Sequence, residues 1–129
     1  MASSIVNIVM DCENPWELAQ FWSMVLDRPV HPDNEPSDEI VGIVIDPQTG
    51  GELEFQRVAE RKITKNRQHI CLWPDDRSRD EEVDRLLAAG AALVQDHRQP
   101  DGLGWVVLAD PAGNEFCILR SQAERAATD

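Results

Sequence analysis

No stretch of this sequence approaches the roughly 20 consecutive apolar residues that a membrane-spanning helix needs. The opening residues, Met1-Ala2-Ser3-Ser4, carry neither a basic region nor an apolar core, so export is not expected. Cysteine is scarce. The three, Cys12, Cys71 and Cys117, are odd in number, and no two stand at Cys-x-x-Cys spacing. That pattern argues against a disulfide framework or a structural zinc site and fits a reducing, cytoplasmic setting. Positive charge is also short: 12 Lys plus Arg against 24 Asp plus Glu give a net charge of −12. A polyanion needs clustered cations, so nucleic acid is excluded as a partner, and an anionic membrane surface is disfavoured for the same reason. Also absent are a phosphate-binding glycine loop, a His-Glu-x-x-His pair and a nucleophile elbow.

What is present is a 129-residue chain with 42% hydrophobic residues, enough for one globular domain. Ile5 to Met10 reads as a short buried strand. Asn14, Pro15 and Glu17 then form a helix start, and Leu18, Phe21, Trp22, Val25 and Leu26 follow helical spacing. A polar loop with prolines covers residues 31–38. Strands are expected at Ile40 to Ile45 and from Leu53 to Val58, separated by the turn-rich Asp46-Pro47-Gln48-Thr49-Gly50-Gly51.

After a basic connection carrying Arg61, Lys62, Lys65 and Arg67, the order restarts. Gln68 to Trp73 reads as a strand. Ser78 and Glu81 form a capping box, Val83, Leu86 and Leu87 a helical stripe, and Gly90 its stop. Strands follow at Ala91 to Gln95, Trp105 to Ala109 and Glu115 to Leu119. Each half therefore reads as strand, helix, then about three strands, and neither half is large enough to bury its own sheet alone. The expected organisation is a single domain over 1–121, with module one at about 4–59, a linker at about 60–67, module two at about 68–121, and a C-terminal tail at 122–129.

Gly104-Trp105-Val106-Val107-Leu108-Ala109, running into Asp110-Pro111-Ala112-Gly113-Asn114-Glu115-Phe116, resembles the closing signature of the vicinal-oxygen-chelate superfamily. That group includes glyoxalase I, bleomycin-resistance proteins and extradiol dioxygenases. Asp11-Cys12-Glu13-Asn14-Pro15 with Leu18-Ala19-Gln20-Phe21-Trp22 resembles its opening strand and helix, and Lys62 to His69 is similar to the middle of its glyoxalase-like domain branch. The resemblance spans nearly the whole chain. It implies an α+β fold of two βαβββ modules pairing into a cupped, barrel-like mixed sheet, and a homodimer as the expected assembly.

Metal-dependent members hold one divalent ion on four inward side chains. The resemblance carries those positions onto Asn7, where His is usual; onto Glu54 or Gln56, where Glu is usual; onto His69, the usual His; and onto Cys117, where Glu is usual. Glu115 faces the same side of the last strand. Asparagine is a weak ligand, and a mixture of amide, imidazole and thiol suits neither a hard nor a soft ion well. No cofactor is therefore expected, with a divalent metal the alternative; if an ion is held, His69 with Glu54 or Gln56 holds it.

Each position also has an ordinary reading. His69 serves as a hydrogen-bonding cavity residue, Cys117 as a small apolar core group, and Asn7 and Gln56 as satisfied polar residues. Trp73 and Trp105 either wall a pocket or pack between modules. The basic run is either a solvated connection or a counter-charge for an anionic ligand or a second chain. Taken together, Asn7, Gln56, His69, Trp73, Trp105 and Cys117 are expected to line a ligand pocket. The first functional reading is a small-molecule binding protein with a degenerate metal site, sequestering or carrying an organic ligand. The alternative is a lyase, isomerase or dioxygenase acting on a small oxygenated substrate, with His69 and Glu54 as its acid/base pair. A third is an interaction module with a filled interior.

Overall fold

The computed structural model describes residues 1–128. The fold is α+β, and the chain divides into two compact units, Met1 to Ile63 and Thr64 onward. The boundary falls inside the basic connection. Two separate mixed sheets are formed among the described residues, one in each unit.

The first unit contains β1 (Ile8–Cys12), α1 (Pro15–Leu26), β2 (Ile40–Asp46) and β3 (Gly51–Arg57). Strand order is β1-β3-β2, with β1 parallel and β2 antiparallel to the central β3. Helix α1 starts as its sequence requires: Pro15 fills the first position, and the Glu17 N–H donates to the Asn14 side chain at 3.2 Å. It ends at Asp27 in the left-handed conformation. Trp22 and Ala19 are fully buried against Val41, Ile43, Leu53 and Phe55 on β2 and β3.

Two expectations change here. The first strand is largely exposed: Ile8 and Val9 are 41% and 49% exposed, because β1 is an edge strand and α1 packs mainly on β3 and β2 instead. Where about three strands were expected after the helix, two are formed among the described residues, and a further pairing is limited to one bridge between Val30 and Ile43, with the His31 N–H donating to the Gly42 carbonyl at 2.8 Å. Pro29 and Pro32 flank that bridge and have no N–H to extend a ladder.

The second unit contains β4 (Ile70–Leu72), α2 (Arg79–Ala88), β5 (Ala92–Asp96), β6 (Val106–Ala109), β7 (Glu115–Ile118) and α3 (Gln122–Thr128). Strand order is β4-β7-β6-β5, with β4 parallel to β7 and the other pairs antiparallel. This is the expected βαβββ order in full. Both hydrogen bonds of the Ser78–Glu81 capping box are present, and Gly90 follows the helix at positive φ.

Phe116, Ile118, Val106, Leu108, Val83 and Leu86 form the core between the sheet and α2. The segment expected as a tail instead forms α3, started by Ser121, whose hydroxyl accepts from the Glu124 N–H at 3.1 Å. Glu124 in turn accepts from the Ser121 and Arg79 N–H groups, tying α3 to the start of α2. Among the described residues no helix is long and apolar enough to cross a membrane.

Candidate functional site

In each sheet the strand alternation sends one set of side chains toward a helix and the other onto an open face. In the first unit, register places Asn7, Val9 and Asp11 beside Glu52, Glu54 and Gln56 on that open face. Glu54 and Gln56 thus share a face as alternation requires, and Asn7 joins them as the resemblance implies. They are knit together locally: Asn7 Nδ2 donates to Glu54 Oε1 at 3.1 Å, and Asn7 Oδ1 accepts from the Glu52 N–H at 2.9 Å. Partial burial, with the Glu52 carboxylate beside it, raises the pKa of Glu54 above the usual carboxylate value.

In the second unit the open face is a cleft of about 320 Å³. Its floor is Cys71, Cys117, Val107 and Gln95, one residue from each of the four strands at a common level of the register. His69, two residues before Cys71, joins them at one side, and His97 and Trp105 at the other. The His97 and Trp105 rings are stacked, with centroids 4.6 Å apart and planes 26° from parallel.

That wall is set by backbone. The His97 N–H donates to the Trp105 carbonyl at 2.9 Å, and Gly104 is in the left-handed region, where a Cβ would run into the His97 carbonyl oxygen. Buried Arg79 reinforces the loop from beneath, donating through Nη1 to the carbonyls of Gly102, Leu103 and Gly104 at 3.0–3.2 Å.

At the cleft's other end, Glu115 is buried and committed. Lys65 Nζ reaches both its oxygens at 3.0 and 3.1 Å, and the Asn66 N–H donates to one of them. Of the two readings of the basic run, Lys65 follows neither: it serves an acidic group of its own unit. Arg61 does the same at the surface, 3.6 Å from Glu13. Burial pushes the Cys117 thiol up to about 11, with the neighbouring Cys71 adding to the effect.

The structure therefore brings His69, Trp105 and Cys117 together in one cleft. It places Trp73 elsewhere, exposed and under the Arg125 guanidinium of α3 at 5.8 Å, so Trp73 is not among the residues lining the cleft. Sequence reasoning missed Cys71, Gln95 and His97. A signal for Cys71 was available: His69 and Cys71 are two apart in a strand and must share a face. For Gln95 and His97 there was none, because β5 has a register shift between Leu93 and Gln95.

The model of the glyoxalase-like domain family matches residues 7–119. Among curated proteins no match was found. Solved structures do resemble the chain. One is a glyoxalase/bleomycin resistance protein/dioxygenase family enzyme from Burkholderia phytofirmans PsJN. It is 18% identical with a TM-score of 0.67, over 90% of this chain and 97% of that one. A second is the fosfomycin resistance protein FosX from Mesorhizobium loti, 15% identical with a TM-score of 0.67, over 98% of this chain and 99% of that one. A third is a variant of FosX from Listeria monocytogenes in complex with Mn(II) and 1S,2S-dihydroxypropylphosphonic acid. It is 14% identical with a TM-score of 0.70, over 97% of this chain and 95% of that one. At such identities the likeness is one of fold, while the family match covers most of the sequence: the chain belongs to the glyoxalase-like domain family.

Proposed function

We propose that this protein binds a small organic molecule in the cleft of its second unit, with the stacked His97 and Trp105 rings as one wall. The observation that carries the reading is the cleft's composition. Apolar lining groups (Val107, Leu119), an aromatic wall and a few convergent polar groups (His69, Gln95) make up a typical small-ligand site. A flat ligand lies against Trp105, and Gln95 and His69 offer hydrogen bonds to its oxygens.

The manganese named for the Listeria relative is a hard ion that takes oxygen donors. The residues here do not fit it. The Asn7 oxygen already accepts from the Glu52 N–H, Cys117 offers sulfur where the resemblance expects a carboxylate, and the Glu115 carboxylate is held by Lys65 and Asn66. The metal site of the family's pattern is degenerate in this chain, which supports binding over metal-assisted chemistry.

The test is a thermal-shift screen of small aromatic and oxygenated compounds against the wild type and Trp105→Ala. A ligand that binds only the native state raises the melting temperature. Compounds are expected to stabilise the wild type and quench its tryptophan fluorescence, with both responses lost in Trp105→Ala. If Trp105→Ala responds as the wild type does, the cleft is not the site. A compound consumed rather than merely bound would replace this reading with the acid/base enzyme, with His69 as its base.

A further inference from the structure

The second sheet holds a cluster in which His69 and Cys117, two positions of the family's four-position pattern, are joined by Cys71, to which neither that pattern nor the cysteine spacing points. His69 immediately precedes β4, and alternation along the extended chain puts it on the same face as Cys71. The parallel pairing of β4 with β7 sets Cys71 directly beside Cys117. A ring nitrogen of His69 and the two sulfurs consequently lie within 4.8 Å of one another. They face the cleft, not the helix-covered core, with His69 and Cys71 exposed and Cys117 beneath them.

We propose that His69, Cys71 and Cys117 bind one zinc ion. Two thiolates and an imidazole are the donors this borderline-soft ion prefers. Zinc–sulfur bonds of about 2.3 Å in a tetrahedron place the sulfurs about 3.8 Å apart, so small side-chain rotations close the cluster around an ion. The nearest carboxylate along β7, Glu115, is engaged by Lys65 and Asn66, which leaves the site to nitrogen and sulfur. Three protein ligands leave the fourth position to water on the cleft side, the arrangement of an open zinc site. The charges balance: Zn(II) replaces the thiol protons of Cys71 and Cys117, two protons leave to the buffer, and no electron is transferred. The site stands whether or not the cleft takes an organic ligand, and every donor comes from one unit, from β4, β7 and the residue just before β4.

The full-length protein, reduced and stripped of metal, is titrated with zinc in competition with a chromophoric chelator, and separately with Co(II) as a spectroscopic probe. The expected results are one zinc per chain, release of two protons per zinc at neutral pH, and thiolate-to-cobalt charge-transfer absorption in the near ultraviolet. Cys71→Ser and His69→Ala alter exposed residues, so circular dichroism should show both folded; each should weaken zinc binding at least tenfold. Substoichiometric zinc, a cobalt spectrum without thiolate bands, or a Cys71→Ser variant that binds zinc as the wild type does would overturn the proposal. Buried Cys117 is tested by cadmium titration of the wild type: two thiolate-to-cadmium bonds per chain are expected, and a single one removes Cys117 from the site.

Discussion

The two units repeat one plan, a mixed sheet with a helix on one face and an open surface on the other, yet their open surfaces differ in chemistry. On the first, the polar groups satisfy each other: Asn7 spends both ends of its amide on β3, and two carboxylates share the same strip. On the second, an imidazole and two thiols meet across β4 and β7, and an imidazole–indole pair stands opposite them. The first also has a truncated strand where prolines interrupt it, whereas the second completes its four. Repeating a fold repeats where side chains point. It does not repeat what they are: among the described residues, an imidazole meets two thiols on the open surface of the second unit alone.

The comparison can be broken most severely through the cores. Trp22→Ala in the first unit and Phe116→Ala in the second each remove a fully buried aromatic side chain. Each is expected to cost about 3–5 kcal/mol in denaturant unfolding. If either costs much less, the two sheets do not depend equally on their helix-covered faces.

The helix starts give a finer contrast. Ser78→Ala removes one side of a reciprocal capping box and is expected to cost about 1 kcal/mol. Asn14→Ala removes a single hydrogen bond at a start that Pro15 already preorganises, and should cost less. The same unfolding measurements rank the pair, and the reverse order would show that the caps are not what separates the two helices.

The smallest effect is electrostatic. Glu54 holds its proton to a higher pH in the folded chain than in the unfolded one, first because of burial and then because of Glu52. Its favourable contribution is therefore present below about 4.5 and is lost as pH rises through the folded value. Glu54→Gln, which keeps an oxygen for Asn7, is expected to stabilise the protein at neutral pH by less than about 0.5 kcal/mol, since the group is largely solvated. The gain should vanish below pH 4.5 in a stability–pH series. A gain that persists in acid would mean that charge is not its cause.

Most elements were legible because their signals are local. Asn14-Pro15 and Ser78 with Glu81 mark helix starts through backbone N–H groups within one turn. The face shared by Glu54 and Gln56, and the inward place of Trp22, followed from period alone, whereas Asn7 was set beside them by the family resemblance. The candidate site was legible in part. His69, Trp105 and Cys117 were found, but Cys71 was passed over because cysteines were judged by spacing along the chain, while the structure joins two of them across a parallel pair. Trp73 was expected with the pocket because it ends a strand, yet Arg125 of an unanticipated helix lies over it.

The order of residues by itself determined the α+β composition, the starts of α1 and α2 and the side of each strand on which a residue stands. These depend on hydrogen bonds and alternation within a few residues. Tertiary structure decided strand neighbours and register, and with them the meeting of His69, Cys71 and Cys117, the stacking of His97 on Trp105 and the capture of Glu115 by Lys65. Those contacts join residues far apart in the chain. Register is set by the whole sheet's burial against its helix, and no local stretch of sequence carries that information.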